Sequence, residues 1–248
     1  MPACRSCWKK NRKDEKGQKK TGEPGRRSLL PGKKTGMKEA FKYFKYLVEE
    51  IHTTVTATVD DQGEPVTAAI DMMDYDEDSL YFLTARGKGF YDRLRKRGFL
   101  AFTALKGQDT MSSIALSVRG KVRELGFERI PDLFRKNPYM HEIYPTEKSM
   151  KALMVFQIYE GTGEWFDLSK KLIERASFAF GGRASGSEDG YSITDACSGC
   201  VSCLGVCPQS CILDREVPFT IRQENCLHCG NCMTVCSRGA VIRRKEIR

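Results

Sequence analysis

Between residues 37 and 51 the apolar side chains Met37, Ala40, Phe41, Phe44, Leu47, Val48 and Ile51 recur at helical spacing. The segment therefore predicts an amphipathic helix with one face turned to a core. At residue 53 the pattern changes to alternation. Residues 53–59 are rich in β-branched side chains, Asp60-Asp61-Gln62-Gly63 supplies a turn, and 65–73 resumes the extended pattern. Residues 74–78 read as an acidic turn, 79–84 as a strand, 87–97 as a short helix, and 99–105 and 114–124 as two more strands. Residues 127–140 have helical character interrupted at Pro131 and Pro138. Strands over 151–159, 163–167 and 172–180 complete a region of many short strands and few helices. That pattern predicts a mainly β body built as a small closed or partly closed barrel.

Composition then separates this body from its flanks. Residues 9–34 are rich in Lys, Arg, Gly and Pro without a hydrophobic period, which predicts disorder. Residues 181–190, GGRASGSEDG, have the composition of a flexible linker. The expected organisation is a basic extension over 1–36, a barrel over 37–180, a linker over 181–190 and a different kind of domain over 191–248.

Charge follows the same division. The formal net charge is +9, and residues 1–36 carry all of it, with 12 Lys and Arg against 3 Asp and Glu. A globular nucleic-acid-binding domain carries its basic surface on the folded body. Nucleic acid is therefore not an expected partner, and the leader reads as a solvated tail. No apolar run approaches the roughly 18 residues of a membrane helix, and the basic start lacks the apolar stretch of a signal peptide. The expectation is a cytoplasmic protein.

Of 11 cysteines, nine lie between Cys197 and Cys236. Their odd number, dense spacing and the missing export signal argue against a disulfide framework and for metal or cluster ligation. Cys197, Cys200, Cys203 and Cys207 recur 29 residues later as Cys226, Cys229, Cys232 and Cys236, each set reading C-x2-C-x2-C-x3-C. Three thiolates at that spacing wrap one corner of an iron–sulfur cube and direct the fourth elsewhere. Zinc sites favour isolated CxxC pairs separated by a longer loop. Cys211 aligns with Ala240 of the other repeat and reads either as a small buried residue beneath a cluster or as a redox thiol. Cys4 and Cys7 form a CxxC without a second pair.

The repeat resembles bacterial two-cluster ferredoxins, with Pro208 after the fourth cysteine, Gly230 after Cys229, and short strands expected at 191–193 and 219–221. Ser237 stands where the second proline would be. The resemblance implies a small α+β domain with crossed ligation. One [4Fe–4S] cluster would take Cys197, Cys200, Cys203 and Cys236, and the second Cys226, Cys229, Cys232 and Cys207. Such a domain carries single electrons.

The order of elements in the barrel, with the Gly63-Glu64-Pro65 turn, Leu80-Tyr81-Phe82-Leu83-Thr84 and Arg86-Gly87-Lys88 opening a helix, resembles the pyridoxamine 5′-phosphate oxidase-like split β-barrel flavoproteins. That family usually binds FMN at a dimer interface, and some relatives bind a deazaflavin or haem. Thr84, Arg86 and Lys88 stand just before a helix N-terminus, where backbone N–H groups favour a phosphate; the plainer reading is a solvated basic loop. By the resemblance Ala68, Ala69, Ile70 and Asp71 edge the flavin ring; otherwise they are a half-buried strand. An arginine and a lysine of pyridoxamine phosphate oxidase are absent at Ala68 and near Met73, which argues against that substrate. Trp165 and Phe166 would wall a flavin pocket or pack the core. His52 and His141 form no recognisable dyad, and His228 lies between cluster ligands. No GxGxxG follows a strand, so no Rossmann nicotinamide domain is visible. The reading is an anaerobe-type FMN oxidoreductase in which two [4Fe–4S] clusters exchange single electrons with a flavin that reduces a small organic acceptor. The alternative is a non-enzymatic electron carrier or redox sensor. Expected partners are a second copy of the chain, as a homodimer, and a redox protein or small-molecule electron donor.

Overall fold

A computed structural model describes residues 37–183 and 189–244, so the basic leader with Cys4 and Cys7, and residues 184–188 of the expected linker, lie outside the described residues. The chain opens with helix α1 (Met37–Tyr46), which continues as a π-helical turn over Leu47–Ile51. Ala40, Phe44 and Leu47 are buried, as the stripe predicts, and Tyr43 joins them. His52 closes the turn at φ 71°, with its N–H donating to Leu47 O.

Seven strands follow: β1 (Thr53–Val59), β2 (Pro65–Tyr75), β3 (Leu80–Ala85), β4 (Phe99–Lys106), β5 (Ile114–Gly126), β6 (Leu153–Asp167) and β7 (Glu174–Phe180). They form one antiparallel sheet in the order β3-β2-β1-β4-β5-β6-β7, and β6 also pairs with β3. This closes a six-stranded barrel and leaves β7 as an extension beside β6. The fold is therefore mainly β, a closed split barrel with few helices. Helix α2 (Gly89–Arg97) plugs Phe90 and Leu94 into the core, where Met72, Phe82, Leu116 and Phe156 meet α1.

Along one edge β6 changes partners while its other edge stays on β5. Its first half pairs with β3, from Leu153↔Ala85 to Ile158↔Leu80, and its second half pairs with β7 from Gly161↔Phe180. The sequence divided this region into two strands, because Glu160-Gly161-Thr162 has the composition of a turn. Instead Gly161 and Gly163 keep the strand continuous where neighbours crowd it. A Cβ at Gly163 would sit 2.2 Å from the Phe178 ring, and one at Gly161 would sit 2.3 Å from Arg119 O.

Two further expectations shift. The acidic turn at 74–78 begins later, because Asp74 stays in β2 and is buried, held by Lys136 at 2.5 Å and Arg129 at 3.4 Å. Pro131 does not interrupt a helix but opens one, α3 (Ile130–Lys136), where a missing N–H costs nothing. With α4 (Met140–Ile143) and α5 (Glu147–Met150) it covers the outer barrel wall at Met73, Tyr81 and Val155.

The cysteine-rich segment contains β8 (Gly190–Ile193), α6 (Ser202–Gly205), β9 (Ile212–Leu213), β10 (Thr220–Ile221), α7 (Asn231–Thr234) and β11 (Val241–Arg244). β8 pairs with β11 and β9 with β10, so each two-stranded ribbon backs a core of Tyr191, Ile212, Phe219, Ile221 and Val241. Among the described residues the barrel and this segment form one compact unit.

Candidate functional site

The eight repeat cysteines line two small cavities. Cys197, Cys200, Cys203 and Cys236 line one, and Cys207, Cys226, Cys229 and Cys232 line the other. Each repeat thus gives three thiols to one cavity and sends its fourth to the other. The backbone makes this possible with paired left-handed residues: Gly199 with His228, Val201 with Gly230, and Ser210 with Gly239. Each pair contains one glycine, for which that conformation costs nothing, and one residue held there against its preference. No group of three or more His, Cys, Asp or Glu converges on a single-ion site among the described residues. The repeat thiols instead line the two cavities four to each. The donor set fits iron–sulfur clusters.

Hydrogen bonding to sulfur repeats as well. Cys211 N–H lies 3.4 Å from Cys207 Sγ, and Ala240 N–H lies 3.3 Å from Cys236 Sγ. The backbone N–H of Ser202, with its hydroxyl, holds the Cys200 thiol below the ordinary range. Burial raises Cys203 and Cys232. The exception to the symmetry is Cys211, a ninth thiol that lines the second cavity, 3.4 Å from Cys207 Sγ. Its hydrogen bond to Cys226 and its burial push Cys211 up, while the same bond pulls Cys226 down. Cys211 keeps its proton, and Cys226 is the better thiolate.

On the barrel, Thr84 is the penultimate residue of β3 and its buried hydroxyl has no hydrogen-bond partner. Arg86 is exposed, and its guanidinium donates to Lys151 O at 2.5 Å. Lys88 is the N-cap of α2 and makes no side-chain cap there. Thr84 and Lys88 stand four residues apart in the sequence, with Lys88 directly before the first residue of α2, where backbone N–H groups favour an anion. Ala68, Ala69, Ile70 and Asp71 lie on β2 opposite Thr56, Val55, Thr54 and Thr53. Ile70 is buried in the barrel core, whereas Ala69 is exposed and Asp71 half-buried. The pair Met72↔Phe82 makes β2 and β3 neighbours, which brings this stretch and Thr84 onto adjacent strands.

Asp71 also belongs to a network that the sequence did not reveal. Tyr139 Oη donates to Asp71 Oδ2 at 2.9 Å, and His52 Nε2 lies 2.9 Å from Tyr139 Oη. Thr53 adds a hydroxyl to Asp71 at 2.7 Å. Burial and the Asp71 carboxylate push the Tyr139 phenol well above its usual range. The left-handed turn at His52 aims its ring here, and no local pattern links residues 52, 71 and 139. His141 only packs edge-on against Phe134, and Trp165 packs between Tyr43 and Tyr46 of α1.

Among the described residues, three hydrogen bonds join the barrel to the cysteine segment. Arg175 Nη1 meets His228 Nδ1 at 2.8 Å, Ile173 N–H donates to Gln209 Oε1 at 2.9 Å, and Asn225 Nδ2 donates to Ile173 O at 3.1 Å. Glu164 grips Arg175 from behind with both oxygens at 3.1 Å. Gln209 and Asn225 flank predicted ligands, but only the fold shows what they reach.

No family model matches the chain. Among solved structures it is similar to a NimC/NimA family protein from Clostridium acetobutylicum, at 15% identity and TM-score 0.46 over 58% of this chain and 92% of that one. It is also similar to a pyridoxamine 5′-phosphate oxidase-related, FMN-binding protein from Nostoc punctiforme, at 10% identity and TM-score 0.41 over 62% and 98%. The barrel assignment rests on the strand order itself. Among curated proteins, an uncharacterised protein of the rpl9–rpl11 intergenic region of Porphyra purpurea is 32% identical over 62 residues, 22% of this chain and 83% of that protein. Ferredoxin 7Fe of Hydrogenibacillus schlegelii is 40% identical over 53 residues, 21% of this chain and 68% of that protein. Through its C-terminal cysteine-rich segment, carried beside a split β-barrel, the chain belongs to the ferredoxin family.

Proposed function

We propose that the protein is an FMN-dependent oxidoreductase in which two [4Fe–4S] clusters, one in each cysteine cavity, exchange single electrons with a flavin on the barrel that reduces a small organic acceptor. The observation that carries this reading is the pair of four-thiol cavities packed on the flank of a barrel whose buried Thr84 hydroxyl has no hydrogen-bond partner. When bound, a flavin supplies the change between one- and two-electron steps, and a four-thiolate cluster supplies electrons one at a time. The protein's own residues do the rest. Lys88 and the first N–H groups of α2 hold the phosphate, Thr84 donates its free hydroxyl, and the small side chains of Ala68 and Ala69 let a planar ring approach β2. Assembly as a homodimer would complete a site that here is open on one side of β2.

Anaerobic purification with iron, sulfide and flavin analysis tests the reading. About eight irons and one FMN per chain are expected. Eight irons without flavin would leave an electron carrier or redox sensor as the better account. Lys88→Ala is expected to lower flavin occupancy by roughly tenfold, the loss of one charge-assisted contact. Unchanged occupancy would remove the phosphate assignment.

A further inference from the structure

Each of the two cysteine cavities has one exposed cysteine, Cys200 in one and Cys229 in the other. Burial separates them only in degree, with Cys226 and Cys232 buried in the second and Cys203 alone in the first. Their contacts with the barrel separate them in kind. His228 lies between Cys226 and Cys229, Asn225 immediately precedes Cys226, and Gln209 follows Cys207 by two residues. All three hydrogen bonds from the barrel therefore end beside ligands of the second cavity. The first cavity is lined by Val201, Phe219, Arg238 and Val241, and Val201 is 53% exposed.

Arg175 is the charged member of this junction. Its side chain is 16% exposed, while that of its counter-ion Glu164 is 49% exposed. A buried cation acts through a lower effective dielectric than a half-solvated anion. The pair thus presents net positive character to the His228 loop and not to the other cavity.

We infer that the two cluster sites are ordered: the Cys207/Cys226/Cys229/Cys232 site is the barrel-side centre, positioned and tuned by Arg175, and the Cys197/Cys200/Cys203/Cys236 site is the outer centre, where electrons enter or leave. This rests on the proposed presence of clusters in both cavities. In each transfer one centre loses one electron and the next gains it, with no bond formed or broken. The external partner is a low-potential one-electron donor. Arg175 is a positioning residue, because it acts through the loop that holds the ligands.

The test is an EPR-monitored potentiometric titration of the full chain, with dithionite as reductant. Arg175→Ala removes a positive charge and is expected to lower the midpoint potential of one cluster only. Glu164→Gln removes the opposing charge and is expected to raise the same one. Arg175→Lys, which keeps the charge, is expected to stay near the parent value and shows that the segment still folds. Arg238→Ala is expected to move the other cluster alone. If the Arg175 and Arg238 variants move the same signal, or Arg175→Ala moves neither, the ordering is overturned. Freeze-quenched samples mixed with a dithionite-reduced small ferredoxin are expected to show the Arg238-sensitive signal first. The reverse order would also overturn it. A parent protein without about eight irons and two cluster signals would instead defeat the underlying reading.

Discussion

Tyr139 stands at the centre of three residues drawn from distant parts of the chain. Its hydroxyl donates to Asp71 and faces His52 Nε2, so one oxygen satisfies two half-buried polar groups. Tyr139→Phe keeps the ring and removes only that oxygen. It is expected to cost about 1 kcal/mol, the net worth of a partly exposed hydrogen-bond network, as read by chemical denaturation. Asp71 retains Thr53 at 2.7 Å, which limits the loss. Residue types told part of this story. The cysteine spacing exposed eight of the nine thiols that line the two cavities, because ligand spacing is local, and left Cys211 outside the repeat. His52, Asp71 and Tyr139 carry no spacing at all, so their meeting could not be read in advance.

At the scale of elements, β6 decides the architecture. It runs for 15 residues and passes from β3 to β7 while remaining paired with β5. That passage requires close approach at its glycines. Gly163→Ala would place a methyl group 2.2 Å from the Phe178 ring, in a core already filled by Tyr43 and Phe44. The expected destabilisation is about 1–3 kcal/mol, the range for overpacking. Gly205→Ala, where a Cβ meets nothing within 4 Å, is the matched control and is expected to be near neutral in the same thermal melts. Alternation located most of the barrel strands, because a half-buried strand must alternate. It divided β6 because glycine signals a turn and a tight crossing equally well. It also placed a turn at Asp74, because an acidic residue reads as solvated until Lys136 and Arg129 are brought to it by α3.

At the scale of the whole molecule, two cores of unequal strength are joined. The barrel buries Phe44, Phe82, Phe156, Phe180 and a dense set of aliphatic side chains. The cysteine segment has few large apolar residues, and its own thiols make up much of its core. If the segment holds clusters, so little apolar bulk makes its fold dependent on them. Stripping iron with a strong chelator under reducing conditions is therefore expected to unprotect residues 190–244 in hydrogen exchange while β1–β6 stay protected. Loss of protection throughout the barrel would show that the two parts stand or fall together.

The repeat of cysteines, the change from helical to alternating period and the confinement of excess charge to the leader are all legible along the chain. These are properties of near neighbours in the chain, and hydrophobic period and ligand spacing express them directly. It took the packed fold to show that β6 closes the barrel on β3 and that Arg175 meets His228 in the loop between Cys226 and Cys229. Those outcomes depend on packing between segments far apart in sequence, where the geometry of close approach, and not local composition, selects the partner.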